Sequence, residues 1–217
     1  MNIHSVTASI AAHAVSPAAD KREAILAAAL DLFAERTFEG TAVPLIAEKA
    51  GVAAGTIYRY FDSKEALVNA LYRRWKGVLR EALPEAIAAG GTPEDRFRLM
   101  WRGLWSFATE HPQALAFLET QHHEAYLDEE SRALASAIDA SVTAYVRSAQ
   151  AEGAMRDAPP EMLLALAFGA FVGFVKQARG NGRDLDESAM RASADVMWSA
   201  LRAGDEKTAA RRRKESR

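Results

Sequence analysis

Residues Thr41–Glu65 read TAVPLIAEKAGVAAGTIYRYFDSKE, and three of them at fixed spacing decide the fold. Two short helices that cross at close range need a small residue where they touch, a turn residue content with positive φ, and an apolar anchor on the second helix. Ala47, Gly51 and Ile57 fill these places, and Ile46, Val52 and Phe61 supply the remaining core of a helix-turn-helix. The spacing alone is equally compatible with a plain helical hairpin inside an all-α core.

The outward face of the second helix carries the functional reading. With Ile57 inward at 100° per residue, Ala53 and Phe61 also point in, Gly55 and Arg59 point out, and Thr56 and Tyr58 flank them. A small patch, a hydroxyl, a phenol and an arginine suit close approach to a major groove. Thr56 and Tyr58 would take phosphates, and Arg59 a phosphate or a guanine edge. Lys64, opening the next helix, would add a point charge toward the DNA backbone. The net charge is −2, so DNA binding must rest on a few placed residues rather than on bulk attraction.

Outward from this stretch the chain reads as helix throughout. Asp20–Glu23 forms a capping box ahead of the apolar face Ile25, Ala29, Leu32 and Phe33, with Gly40 as punctuation. The second helix opens near Val43 with Pro44 in its first turn, the third spans about 53–61, and Asp62-Ser63 caps a fourth running to about 83. Thr92-Pro93-Glu94-Asp95 starts a fifth, which places Phe97, Met100, Trp101, Leu104, Trp105 and Ala108 at 3- and 4-residue spacing. Pro112 starts a sixth to about Glu124, a seventh closes at Gly153, Pro159-Pro160 opens an eighth to Gly180, and Asp184-x-x-Glu187 caps a ninth to about Arg202. The expected fold is all-α, with nine helices and no sheet. Its parts are a disordered arm (1–19), a helix-turn-helix head (20–65), a helical regulatory and dimerisation domain (66–204) and a basic disordered tail (205–217).

Composition narrows the function. Apolar residues make up 49% and charged residues 26% of the 217, as in an ordinary globular protein. There is no cysteine, which excludes disulfides, thiolate metal sites and cysteine nucleophiles and is compatible with a reducing cytoplasm. Residues 3–19 lack a positive n-region, and His4, Ser5, Thr7, Ser9 and His13 interrupt any apolar core of a signal peptide. No later stretch approaches roughly 18 charge-free apolar residues, so a soluble, cytoplasmic protein is expected. No nucleophile elbow, Walker loop or HExxH motif occurs, so neither catalysis nor a cofactor is expected.

The run Lys21–Trp75, above all IAEKAGVAAGTIYRYFDSKEALV (Ile46–Val68), resembles the TetR family of transcriptional regulators. The resemblance implies a three-helix DNA-binding head, a helical ligand-binding domain and dimerisation through the last two helices. It places the frequent DNA contacts of the family on Thr41, Ala54, Gly55, Thr56, Tyr58, Tyr60 and Lys64. The helical wheel favours Arg59 over Tyr60. Ala42, Pro44 and Leu45 replace the polar residues usual at the start of the second helix, which leaves Thr41 either to touch phosphate or to cap that helix. The resulting expectation is a dimeric repressor that leaves a palindromic double-stranded operator when a small, largely apolar ligand binds. The alternatives are a helical ligand- or protein-binding module without DNA binding, or an activator of the same architecture.

Trp101 and Trp105 lie four apart on one apolar face; they are either plain core or, with Phe117, Phe168 and Phe171, the wall of a ligand cavity. In Gln121-His122-His123-Glu124 the adjacent histidines diverge by about 100°, so no metal is expected there. The stretch is either a partly buried polar patch or, through His122, a hydrogen-bond donor to a ligand. Gly169-x-x-x-Gly173 marks close helix packing, and the apolar surplus of residues 159–180 and 185–202 suits a two-fold subunit interface.

Overall fold

Turn chemistry sets the limits of each helix. The computed structural model describes residues 17–82, 90–120 and 125–204, and the chain divides into two compact units, residues 1–71 and 72–217. The first unit holds α1 (Pro17–Arg36), α2 (Val43–Lys49), α3 (Ala54–Ile57) and the start of α4 (Lys64–Ala82). Helix α1 opens at Pro17, three residues before the expected cap. Proline lacks the N–H that a first turn leaves unpaired, and Ala18 and Ala19 are strong helix formers. Asp20 therefore lies within the first turn, where its charge suits the dipole, instead of capping it. The expected arm shortens accordingly, and residues 1–16 lie outside the described residues.

Thr37, just past α1, holds a left-handed φ of 66°. Gly40 follows where a Cβ would stand 2.2 Å from the Arg36 carbonyl oxygen, so only glycine fits. The helix-turn-helix corner is a Schellman motif. Gly51 N–H donates to Glu48 O at 3.1 Å and Val52 N–H to Ala47 O at 3.0 Å, with Gly51 at φ 66°. A side chain at Gly51 would be strained there, which is the physical content of the spacing rule. Ile25, Phe33, Ile46, Ile57, Leu67 and Val68 are buried in the core of this unit. Such burial contributes about 1.5–3 kcal/mol for each side chain.

The second unit comprises the rest of α4 with α5 (Pro93–Glu110), α6 (Pro112–Thr120), α7 (Glu129–Ala151), α8 (Pro160–Gly180) and α9 (Glu187–Leu201). The described residues thus form nine helices and no strand; one isolated bridge pairs Met155 with Arg202. Thr92 and Asp95 complete the capping box of α5, with Pro93 in the first turn. Helix α9 is capped by Asp186, which accepts from Ala189 N–H at 2.8 Å, and not by Asp184. Residues 121–124, including His122, lie outside the described residues, as do 205–217.

An aromatic ladder joins three of these helices. Trp198 meets Phe97 (5.4 Å between centroids), Phe97 meets Trp101 (5.4 Å), and Trp101 meets Phe171 edge-on (5.3 Å). Phe171 also meets Trp105 (6.3 Å), which lies beside Phe174 (5.9 Å). By length and composition alone α8 could cross a membrane, which corrects the expectation that no segment approaches a span. One face of it lies against α7 and α9, and the Arg179 guanidinium donates to the Ala108 carbonyl, while most of its other side chains are exposed.

Candidate nucleic-acid interface and ligand cavity

Helix α3 has only four α-helical residues, and tight turns carry the chain on. Arg59 N–H donates to Thr56 O (3.2 Å), and Tyr60 and Phe61 N–H both donate to Ile57 O (3.0 Å each). Ala53 is the extended N-cap and is exposed, so it falls off the wheel that placed it inward. Ile57 and Phe61 are buried and fix the segment from within.

The residues expected to face outward differ in exposure. Ala54, Gly55 and Arg59 are exposed, Tyr58 is 53% exposed, and Thr56 and Tyr60 are half-buried. A Cβ added at Gly55 would meet nothing within 4 Å. Among the described residues the Arg59 guanidinium has no hydrogen-bond or ion-pair partner. An arginine left uncommitted beside a phenol and a bare glycine is free to bind an external anion or a base edge.

Two expected contacts are placed otherwise. Thr41 is fully buried, and its hydroxyl shares its single proton between Thr37 O at 2.8 Å and Leu32 O at 3.3 Å. It cannot reach phosphate, and it does not cap α2, whose N-cap is Ala42 without a side-chain bond. Lys64 donates to the Phe38 carbonyl and stands 4.1 Å from the Phe38 ring centroid. Burial pulls its pKa below the ordinary lysine value, against the opposing pull of Glu65 and Glu39. The ammonium is thus already engaged within the head.

The second unit holds a partly open cavity of about 300 Å³, walled largely by apolar side chains including Leu79, Met100, Trp101, Ile138, Leu163 and Phe168. Trp101 and Phe168 line it as expected, whereas Trp105, Phe117 and Phe171 do not. Trp105 donates its indole N–H to Leu185 O (3.2 Å) and is nearly buried, and Phe117 and Phe171 are core side chains at 0% and 1% exposure. Three polar side chains that the sequence reading passed over also line the cavity: Lys76, Asp139 and Tyr145. The Tyr145 hydroxyl donates to Pro93 O at 2.7 Å, and burial raises its pKa. Burial lowers the pKa of Lys76, with Asp139 and Glu119 opposing. Lys76 was legible only as a residue of α4; its turn toward the cavity depends on helices distant in sequence.

Comparison with known proteins covers both units. Residues 25–71 match the family model described as bacterial regulatory proteins, tetR family, and residues 74–203 match a tetracyclin repressor-like C-terminal domain. The transcriptional repressor KstR of Mycolicibacterium smegmatis is 39% identical over 82 residues, 37% of this chain and 40% of that protein. The fatty acid metabolism regulator of Bacillus subtilis is 36% identical over 76 residues, 35% of this chain and 39% of that one. The chain thus matches about two-fifths of the length of these relatives. A crystal structure of a tetR-family transcription regulator from Shewanella sp. PV-4, described as putative, superposes with TM-score 0.71 at 25% identity, covering 85% of this chain and 99% of that one.

Proposed function

Because the chain belongs to the TetR family of bacterial regulatory proteins, we propose that it is a homodimeric transcriptional repressor that reads double-stranded DNA through α3 and leaves it when a small, largely apolar effector binds. The observation that carries this reading is the outward face of α3. Among the described residues the Thr56, Tyr58 and Arg59 side chains make no hydrogen bond or ion pair, and Gly55 has none to offer, while the buried Ile57 and Phe61 hold the segment from within. Thr56 and Tyr58 position the helix on phosphates, Gly55 and Ala54 allow close approach, and Arg59 reads a base edge or a phosphate. Tyr60, half-buried, is the lesser candidate.

Dimerisation is supported by α8 and α9, where Leu166 is 59% and Val196 71% exposed and Met162 and Phe174 also face outward. A two-fold interface would bury this surplus and pair two α3 segments on a palindrome whose half-sites lie about 34–36 Å apart. The protein would act in the cytoplasm, without catalysis. The cavity beside Trp101 and Phe168 is the effector site, and release requires the effector to prefer the state that cannot bind DNA.

Fluorescence anisotropy on DNA from upstream of the protein's own gene tests the reading. Binding that weakens steeply with salt, through a dimer by sedimentation, is expected. Absence of any sequence preference, or a stable monomer at micromolar concentration, overturns it.

A further inference from the structure

Among the described residues, one polar side chain that lines the cavity has no hydrogen-bonding partner and is only partly open to solvent. The Trp101 indole N–H donates to Ser193 Oγ at 2.9 Å, and the Tyr145 hydroxyl donates to Pro93 O. Asp139 is exposed, so water hydrates its carboxylate. Lys76 is half-buried, and among the described residues its ammonium forms neither a hydrogen bond nor an ion pair. It lies over the Tyr72 ring, 5.6 Å from its centroid. Asp139 and Glu119 act on it only at longer range, and burial outweighs them, lowering its pKa. A cation in an apolar cavity without a partner is costly, and a bound anion removes that cost.

Resting on the reading of this cavity as the effector site, we propose that its ligand is an amphipathic carboxylate whose headgroup pairs with Lys76 and whose apolar tail lies along Trp101 and Phe168. A volume of about 300 Å³ holds about ten water-sized groups at roughly 30 Å³ each. That is a medium-length chain or a compact aromatic acid. An amine is disfavoured, since among the described residues the one acid in the lining is the hydrated Asp139.

The test is calorimetric titration of the full-length chain with octanoate, 1-octanol and octylamine, three probes of the same tail length. Octanoate should bind wild type at least tenfold tighter than 1-octanol, and octylamine weakest. Lys76→Met, close in length and apolar, should abolish the preference for octanoate while leaving 1-octanol binding intact; Lys76→Arg should keep the preference. Equal binding of octanoate and 1-octanol, or a preference that survives Lys76→Met, overturns the assignment of the headgroup and leaves the cavity as an effector site. Failure of all three probes to bind overturns the headgroup assignment and the effector-site reading together, and DNA anisotropy reports independently on the head.

Discussion

The Lys64 ammonium donates to the Phe38 carbonyl and lies 4.1 Å from the centroid of the Phe38 ring. This one contact fastens the start of α4 to the turn that follows α1. An ammonium has three donors, so the clamp leaves others for a phosphate while fixing where they point. Lys64→Ala should lower stability in chemical denaturation by about 1–2 kcal/mol, from the lost charged hydrogen bond and cation–π contact. Should phosphate also be bound, the variant will weaken all DNA sequences alike and flatten the salt slope by about one. Unchanged stability would remove the clamp from the account.

Thr37 offers a test with the opposite sign. Its φ of 66° suits glycine and costs a β-branched residue about 1–2 kcal/mol. Its exposed side chain gives little back, a long 3.5 Å bond from Gly40 N–H. Thr37→Gly should raise the unfolding free energy by about 1 kcal/mol. A loss of stability would show that the hydroxyl outweighs the strain.

Much of this head was legible in the sequence because its demands are local. Gly51 is set by a left-handed turn and Ile57 by burial; in the second unit Thr92 is likewise set by a cap within three residues. Ala53 was misplaced because a wheel assumes a continuous helix, and α3 starts one residue later and holds only four. Thr41 was misread for another reason. Its hydroxyl bonds to Leu32 O, nine residues back, a contact without a periodic signature. In the second unit, spacing put Trp101 and Trp105 on one face but could not tell which would meet empty space, since that depends on α7 and α8 from far along the chain. Asp184 and Asp186 both suited a cap, and the backbone chose the second.

Asp128 gives the chain an acid-sensitive joint. It caps α7 by accepting from Ser131 N–H at 2.8 Å and accepts from the Arg73 guanidinium at 2.6 Å. Desolvation alone would raise its pKa, but these bonds hold it at about 2. A carboxylate whose folded pKa is depressed adds stability above its unfolded value of about 4 and loses it as pH falls toward 2. With 44% of the side chain exposed, screening limits the gain to about 1 kcal/mol. Asp128→Asn should lose about that much at pH 7 and vary less between pH 4 and 2. Asp128→Ala should lose about 1 kcal/mol more with the cap. An identical pH profile for Asn and wild type would discard the joint.

The α3 face separates DNA affinity from stability. A methyl group at position 55 would project into open space, and Tyr58 is half exposed. Gly55→Ala should leave the fold intact or firmer by about 0.5–1 kcal/mol, yet weaken operator binding if DNA approaches closely. Tyr58→Ala should cost about 1–3 kcal/mol of binding with little change in unfolding. If both variants bind the operator as wild type does, α3 is not the reading element.

The two indoles of α5 provide an internal control for ligand binding. Trp101 lines the cavity, and Trp105, one turn on, is packed between Phe171 and Phe174. Both make an indole hydrogen bond, to Ser193 Oγ and to Leu185 O respectively. Trp101→Phe and Trp105→Phe should therefore lose comparable stability, about 1 kcal/mol for the bond with a smaller packing loss. Their fluorescence should differ. A ligand in the cavity touches Trp101 and not Trp105, so octanoate-induced quenching should vanish in Trp101→Phe and persist in Trp105→Phe. Titrating with and without saturating operator extends the control. A ligand that weakens operator binding by some factor must itself be weakened by the operator by the same factor. Quenching that survives in Trp101→Phe places the ligand elsewhere in the unit. Equal ligand affinity in both titrations removes release by ligand and leaves a repressor governed by its own concentration.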